Sequence, residues 1–125
     1  MKNQVLMILA FAYMFSFASR AFAATPDFVC LEQSGFRYEF FFSKFTEIHI
    51  FDEKGQALDH LDGLKVERKF KKSNPVKEQF AFVYADGGNK VAVIEFEAGK
   101  TKGRGEMIDN DQKMTCVRSA ASAKN

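Results

Sequence analysis

The sequence predicts an all-β protein, a small antiparallel up-and-down β-barrel of about eight strands. Three observations predict it. Beyond Thr25 the side chains alternate apolar and polar with a period of two, the pattern of half-buried strands. Short clusters rich in Gly, Asn, Asp, Ser and Pro separate the alternating runs, as hairpin turns require. Two cysteines, Cys30 and Cys116, fall in the first and last of these runs. A disulfide between them demands Cα atoms within about 7 Å, which brings the first and last strands together. Closure of a meander into a barrel does this and removes the exposed edges; a two-sheet sandwich meets the same constraint.

The chain opens with "MKNQVLMILAFAYMFSFASRAFAATPDF". Lys2 gives a short positive region, Val5 to Ala18 is a nearly unbroken apolar run, and Ala21-Phe22-Ala23 places small residues for cleavage before Ala24. Residues 1–23 are therefore expected to be a cleaved signal peptide. The apolar run is shorter than the roughly 20 residues a bilayer needs, and Arg20 interrupts it. No other stretch is long and apolar enough to span, so no membrane span is expected in the mature chain. Cys30 follows "DFV", without the small residue a lipoprotein signal places before its cysteine. Export, to a periplasm or outside the cell, makes the isolated cysteine pair a disulfide candidate; free thiols or an intermolecular bond are the competing readings. The remaining 24–118 is long enough for one domain, and "SAASAKN" at 119–125 reads as a disordered tail.

Within the domain, strands are expected near 27–33, 36–43, 45–51, 64–71, 78–85, 90–97, 104–109 and 113–118. In "GFRYEFFFS" the alternation sets Phe36, Tyr38, Phe40 and Phe42 on one face and Arg37, Glu39, Phe41 and Ser43 on the other. Ile48 and Ile50 alternate with Glu47, His49 and Phe51. Phe80, Phe82 and Tyr84 share a face, and Ala92, Ile94 and Phe96 oppose Val91, Val93, Glu95 and Glu97. Gly87 and Gly88 in "YADGGNKV" suit the positive φ of a primed hairpin turn. "QALDHLDG" breaks the alternation. Leu58 and Leu61 are three apart and Gly63 suits a helix end, so one short helix is expected near 56–62.

Charge and motifs narrow the function. The precursor carries 18 Lys+Arg against 16 Asp+Glu. Loss of Lys2 and Arg20 leaves the mature chain formally neutral, which removes net-charge capture of nucleic acid. The charge is uneven, however. Lys65, Arg68, Lys69, Lys71, Lys72 and Lys77 cluster against Glu67, and Lys100, Lys102 and Arg104 add a basic loop. The cluster reads either as a solvated face whose lysines block edge pairing or as a patch for an anionic partner. Phe41, on the polar side of its strand, and Phe51 are candidate apolar contacts; a helix around Leu58 and Leu61 either covers Phe41 or leaves it exposed. His49 and His60 lack the tight spacing of metal ligands, "DNDQ" lacks the Gly and late Glu of a calcium loop, and no G-x-S-x-G or C-x-x-C occurs. No metal, cofactor or enzyme activity is expected.

The ending "KGRGEMIDNDQKMTCVR", with Lys102-Gly103 before a final strand bearing Cys116, together with Cys30, resembles small exported β-barrels that inhibit C-type lysozyme. That resemblance implies a barrel fold and inhibition of a hydrolase. The Ser-Gly-x-x-Tyr loop of those proteins has no counterpart, because "ADGGNKV" has neither the Ser nor the Tyr. The expectation is thus a periplasmic or secreted binding protein, engaging an unknown protein or envelope component through Phe41, Phe51, Lys69, Lys71, Lys72, Lys100, Lys102 and Arg104. The alternatives are a lysozyme-inhibitor-like role and a carrier holding a small apolar ligand among Phe36, Tyr38, Phe40, Phe80, Phe82 and Phe96.

Overall fold

The computed structural model of the protein describes residues 25–109 and 111–119. The expected signal peptide at 1–23 lies outside the described residues, as does the expected tail beyond Ser119. Ser119 itself donates its N–H to the Asp27 carbonyl at 3.0 Å, so sheet-like bonding continues one residue into the expected tail. Among the described residues nine strands follow one another: β1 Phe28–Glu32, β2 Arg37–Phe41, β3 Glu47–Phe51, β4 Ala57–Leu61, β5 Leu64–Lys71, β6 Lys77–Tyr84, β7 Lys90–Glu97, β8 Lys102–Met107 and β9 Gln112–Arg118. All neighbours are antiparallel, in the order β4-β3-β2-β1-β9-β8-β7-β6-β5. They form a single, nearly closed, barrel-shaped sheet.

The helix expected near 56–62 is not present; β4 occupies that stretch. Its register passes from Ile50↔Asp59 to Phe51↔Ala57, leaving Leu58 as the extra residue of a bulge. A bulge advances the alternation by one position, so Leu58 points to solvent while Leu61 packs on the core. The three-residue spacing of these leucines is the phase slip of a bent strand. A second slip, between Phe82 and Val83, skips Val91 and buries it although alternation assigns it outward. β2 stops at Phe41 because Asp27 takes the next two N–H groups: its Oδ2 accepts from Phe42 (2.8 Å) and Ser43 (3.0 Å).

The barrel interior is aromatic. The Phe28 ring centroid lies 4.8 Å from Phe80, 5.0 Å from Phe96 and 5.2 Å from Phe42, within the range of favourable tilted contacts. Cys30 and Cys116 stand directly opposite each other on β1 and β9 and are joined by a disulfide, with a Cα separation of 4.0 Å and no solvent exposure. β8 contributes little interior volume. A Cβ at Gly103 would lie 2.3 Å from the Glu95 carbonyl oxygen and 2.5 Å from the Phe96 ring, and one at Gly105 would lie 2.8 Å from Cys116 Sγ. Glycine at both positions leaves the space for Phe96 and the disulfide.

Two buried charges close one end of the core. Glu78 Oε1 lies 2.7 Å from Arg68 Nη2 and 3.3 Å from Arg118 Nη1. Arg118 also donates from Nε to the Lys100 carbonyl at 2.7 Å. Its Nη2 has no hydrogen-bond acceptor, and the guanidinium lies 4.7 Å from the Phe96 ring centroid, where the cation meets the negative face of the ring.

Candidate binding surface

The expected basic residues come together on the outside of β5 to β8. Lys69, Gln79, Glu95 and Arg104 occupy successive positions of one row across these four strands. Glu95 sits at the centre of this face, 2.9 Å from Lys71 Nζ and 3.5 Å from Lys77 Nζ. The hydrogen bond from Lys71 holds the Glu95 carboxyl below the usual carboxylate range, against the opposing effect of partial burial. Lys102 is exposed at the start of β8. Lys72 lies in the β5–β6 turn and Lys100 in the β7–β8 turn. A hydrogen bond from Ala98 N–H to the Val76 carbonyl (2.9 Å) ties these two turns together.

The two aromatic candidates lie elsewhere, on the outside of β2 and β3. Phe41 is neither exposed nor covered by a helix. It is buried on the outer side of the sheet, its ring 5.3 Å from Phe45 and 4.7 Å from His49, so it offers little surface to a partner. Phe51 is half-buried beneath the Arg37 guanidinium at 4.4 Å. Arg37 Nε lies 3.2 Å from Glu39, although its N–H is not aimed at that carboxylate. His49 lies 2.8 Å from Glu47 Oε2 and stands opposite His60 across β3 and β4, with ring centroids 6.0 Å apart. Only the strand register reveals that pair, because the residues are far apart in sequence. Among the described residues no group of three or more His, Cys, Asp or Glu side chains is arranged to hold a metal ion.

The residues weighed as a ligand cavity face inward and contact one another. Phe40 lies 5.0 Å from Phe82, and Phe80 lies 6.3 Å from Phe96. The Tyr38 hydroxyl donates to Glu32 Oε2 at 2.7 Å. Burial, reinforced by that carboxylate, pushes the Tyr38 phenol well above its ordinary range. Phe36 is half-buried at the margin of the core.

One feature had only a misleading signal in the sequence. Asp62-Gly63, between two apolar-containing runs, is a strong hairpin signal, yet β4 and β5 are not hydrogen-bonded. Gly63, at φ 66°, instead gives its carbonyl to Ala85 N–H at 2.9 Å. The two strands stay more than 8 Å apart over almost all their length, and the barrel has an open seam there. On the β4 side, Asp59 Oδ1 accepts the His60 N–H at 2.8 Å. On the β5 side, Phe70 is 57% exposed. Comparison with protein-family models, with curated proteins and with solved structures finds no match to this chain.

Proposed function

We propose that this is an exported, non-enzymatic binding protein that engages a partner protein of the cell envelope through the outside of its barrel. The observation that carries this reading is the basic face of β5 to β8, where Lys65, Lys69, Lys71, Lys77, Lys102 and Arg104 outnumber the carboxylates beside them, Glu67, Glu95 and Glu97. Positive charge gathered on one side of a formally neutral domain steers an anionic partner and fixes its orientation. The interior supports the same reading against the carrier alternative, because Phe28, Phe40, Phe80, Phe82 and Phe96 fill it together with the disulfide. The buried disulfide fits an oxidising compartment, and the reading of residues 1–23 as a signal peptide supports export. The lysozyme-inhibitor reading rests on the ending of the sequence and on a disulfide joining the first and last strands.

Two measurements test the proposal. Pull-down with the purified exported protein from its native compartment is expected to retain a specific protein that a Lys69→Glu/Arg104→Glu variant retains at least tenfold less. Equal retention by the variant overturns the role of the basic face, and recovery of no protein overturns the binding reading. A panel of C-type lysozymes assayed with micromolar protein decides the inhibitor form; full activity throughout removes it.

A further inference from the structure

We propose that the seam between β4 and β5 is a docking site for an extended acidic segment of a partner protein, which adds to β5 as a tenth strand. This rests on the reading of the chain as a protein-binding module and names how a partner would be held. β5 is an eight-residue strand with no neighbouring strand on its seam side among the described residues. The hydrogen bond between Gly63 and Ala85 sets the phase of the β5–β6 ladder. Because bonded and non-bonded pairs alternate in an antiparallel ladder, the N–H and C=O groups of Leu64, Val66 and Phe70 point into the seam. Strands in a sheet stand about 4.8 Å apart, so a strand bonded to both edges needs a gap of about 10 Å. β4 and β5 are separated beyond 8 Å rather than closed at pairing distance. Asp59 already covers the His60 N–H on β4, which leaves β5 as the receptive edge.

Side-chain chemistry selects the occupant. A strand added to β5 would turn alternate side chains inward, against the half-buried Leu61 and Val66, the exposed Phe70 and, between these last two, Arg68, whose charge Glu78 already meets at 2.7 Å; these positions favour apolar residues. The other side chains would face outward beside Lys65, Lys69 and Lys71, three cations against the single carboxylate Glu67 in that row, where Asp or Glu gains overall and Lys or Arg is repelled. The partner segment is therefore extended, acidic at every second position and apolar between. The same lysines disfavour a second copy of β5, since an antiparallel β5–β5 pair would bring like charges together.

The probe is a labelled eight-residue peptide of alternating valine and glutamate, with its valine–lysine counterpart as control. The valine–glutamate peptide is expected to bind with a micromolar Kd that weakens as salt rises, and to slow amide hydrogen exchange at Leu64, Val66 and Phe70. The lysine peptide is expected to bind at least tenfold more weakly. A Lys65→Glu/Lys69→Glu variant, with both changes exposed, is expected to keep the wild-type Tm and circular dichroism and to reverse the peptide preference. Equal binding of both peptides, no binding, protection outside β5, or a concentration-dependent dimer that slows exchange at the same amides each overturns the proposal. If the native partner of the pull-down is retained undiminished by this variant, the docking mode fails while the binding reading stands; if no partner is retained by the wild type, the broader reading fails.

Discussion

A methyl group at Gly103 would meet the Glu95 backbone oxygen at 2.3 Å, and backbone cannot swing aside as a flexible side chain can. Gly103→Ala is therefore expected to lose roughly 3 kcal/mol of stability by overpacking, read as a lower midpoint in urea with an unchanged slope. An ordinary strand glycine would gain from the same change. At the far end of β8, the neighbouring Asp111 carboxyl, through hydrogen bonding and like charge, pushes the Glu106 carboxyl above the usual carboxylate range. A carboxyl raised in the folded state stabilises the fold while protonated, and that contribution is lost as pH rises through its folded value. Glu106→Gln removes the like-charge pair. Its Tm is expected to exceed that of the wild type at neutral pH and to converge with it in acid; a gap that widens on acidification would contradict this. Phe41 shows what a residue pattern reveals and what it hides. Alternation correctly assigns it to the outer side of β2, but its burial comes from Phe45 beyond the strand and His49 across it. Those neighbours follow from a turn conformation and a register that periodicity does not encode.

At the scale of elements, β1 and the β2–β3 turn are joined through Asp27, which accepts from Phe42 N–H, Ser43 N–H and the Ser43 hydroxyl. Asp27→Ala would leave two backbone donors without their acceptor and is expected to cost about 3 kcal/mol. Faster amide exchange should be confined first to Phe42 and Ser43. Eight of the nine strands were legible, because their side chains alternate and most of their turns carry Gly, Asn, Asp or Pro. β4 was not, because its bulge at Leu58 replaces a period of two with a spacing that imitates a helical turn. The basic face was legible for a similar reason. Lys69 and Lys71 alternate on β5, and Lys102 and Arg104 alternate on β8. That the two strands lie on one side of the barrel, with Glu95 between them, is a property of sheet order. The seam ran against its local signal, since Asp62-Gly63 favours a closed hairpin and the carbonyl of Gly63 is used by Ala85 instead.

For the whole molecule, the disulfide closes a long loop, its cysteines 86 positions apart in sequence. In the chain-entropy account its loss costs about 4 kcal/mol. The Cys30→Ala/Cys116→Ala variant should show that loss in denaturant titrations, less whatever the two small side chains recover in packing. Because both sulfurs are fully buried, alkylation of the native, unreduced protein should add no mass, and reductant should act only at the rate of unfolding. The strand order carries a further meaning. Starting from β5 and stepping across the sheet, one meets β6, β7, β8, β9, then β1, β2, β3 and β4. That is a simple nine-strand meander whose backbone has been cut between β9 and β1 and rejoined between β4 and β5. The start of β1 and the end of β9 meet where Ser119 bonds to Asp27, and the cystine, at the middle of their ladder, makes the covalent link that a hairpin connection at that end would otherwise supply. A circular permutant with residues 27 and 119 linked by a short turn and the chain opened at 62–63 would place its new termini at the two edges of the sheet. It is expected to fold to the same β-sheet spectrum without either cysteine, since the peptide link would then supply the connection that the cystine makes in the natural chain.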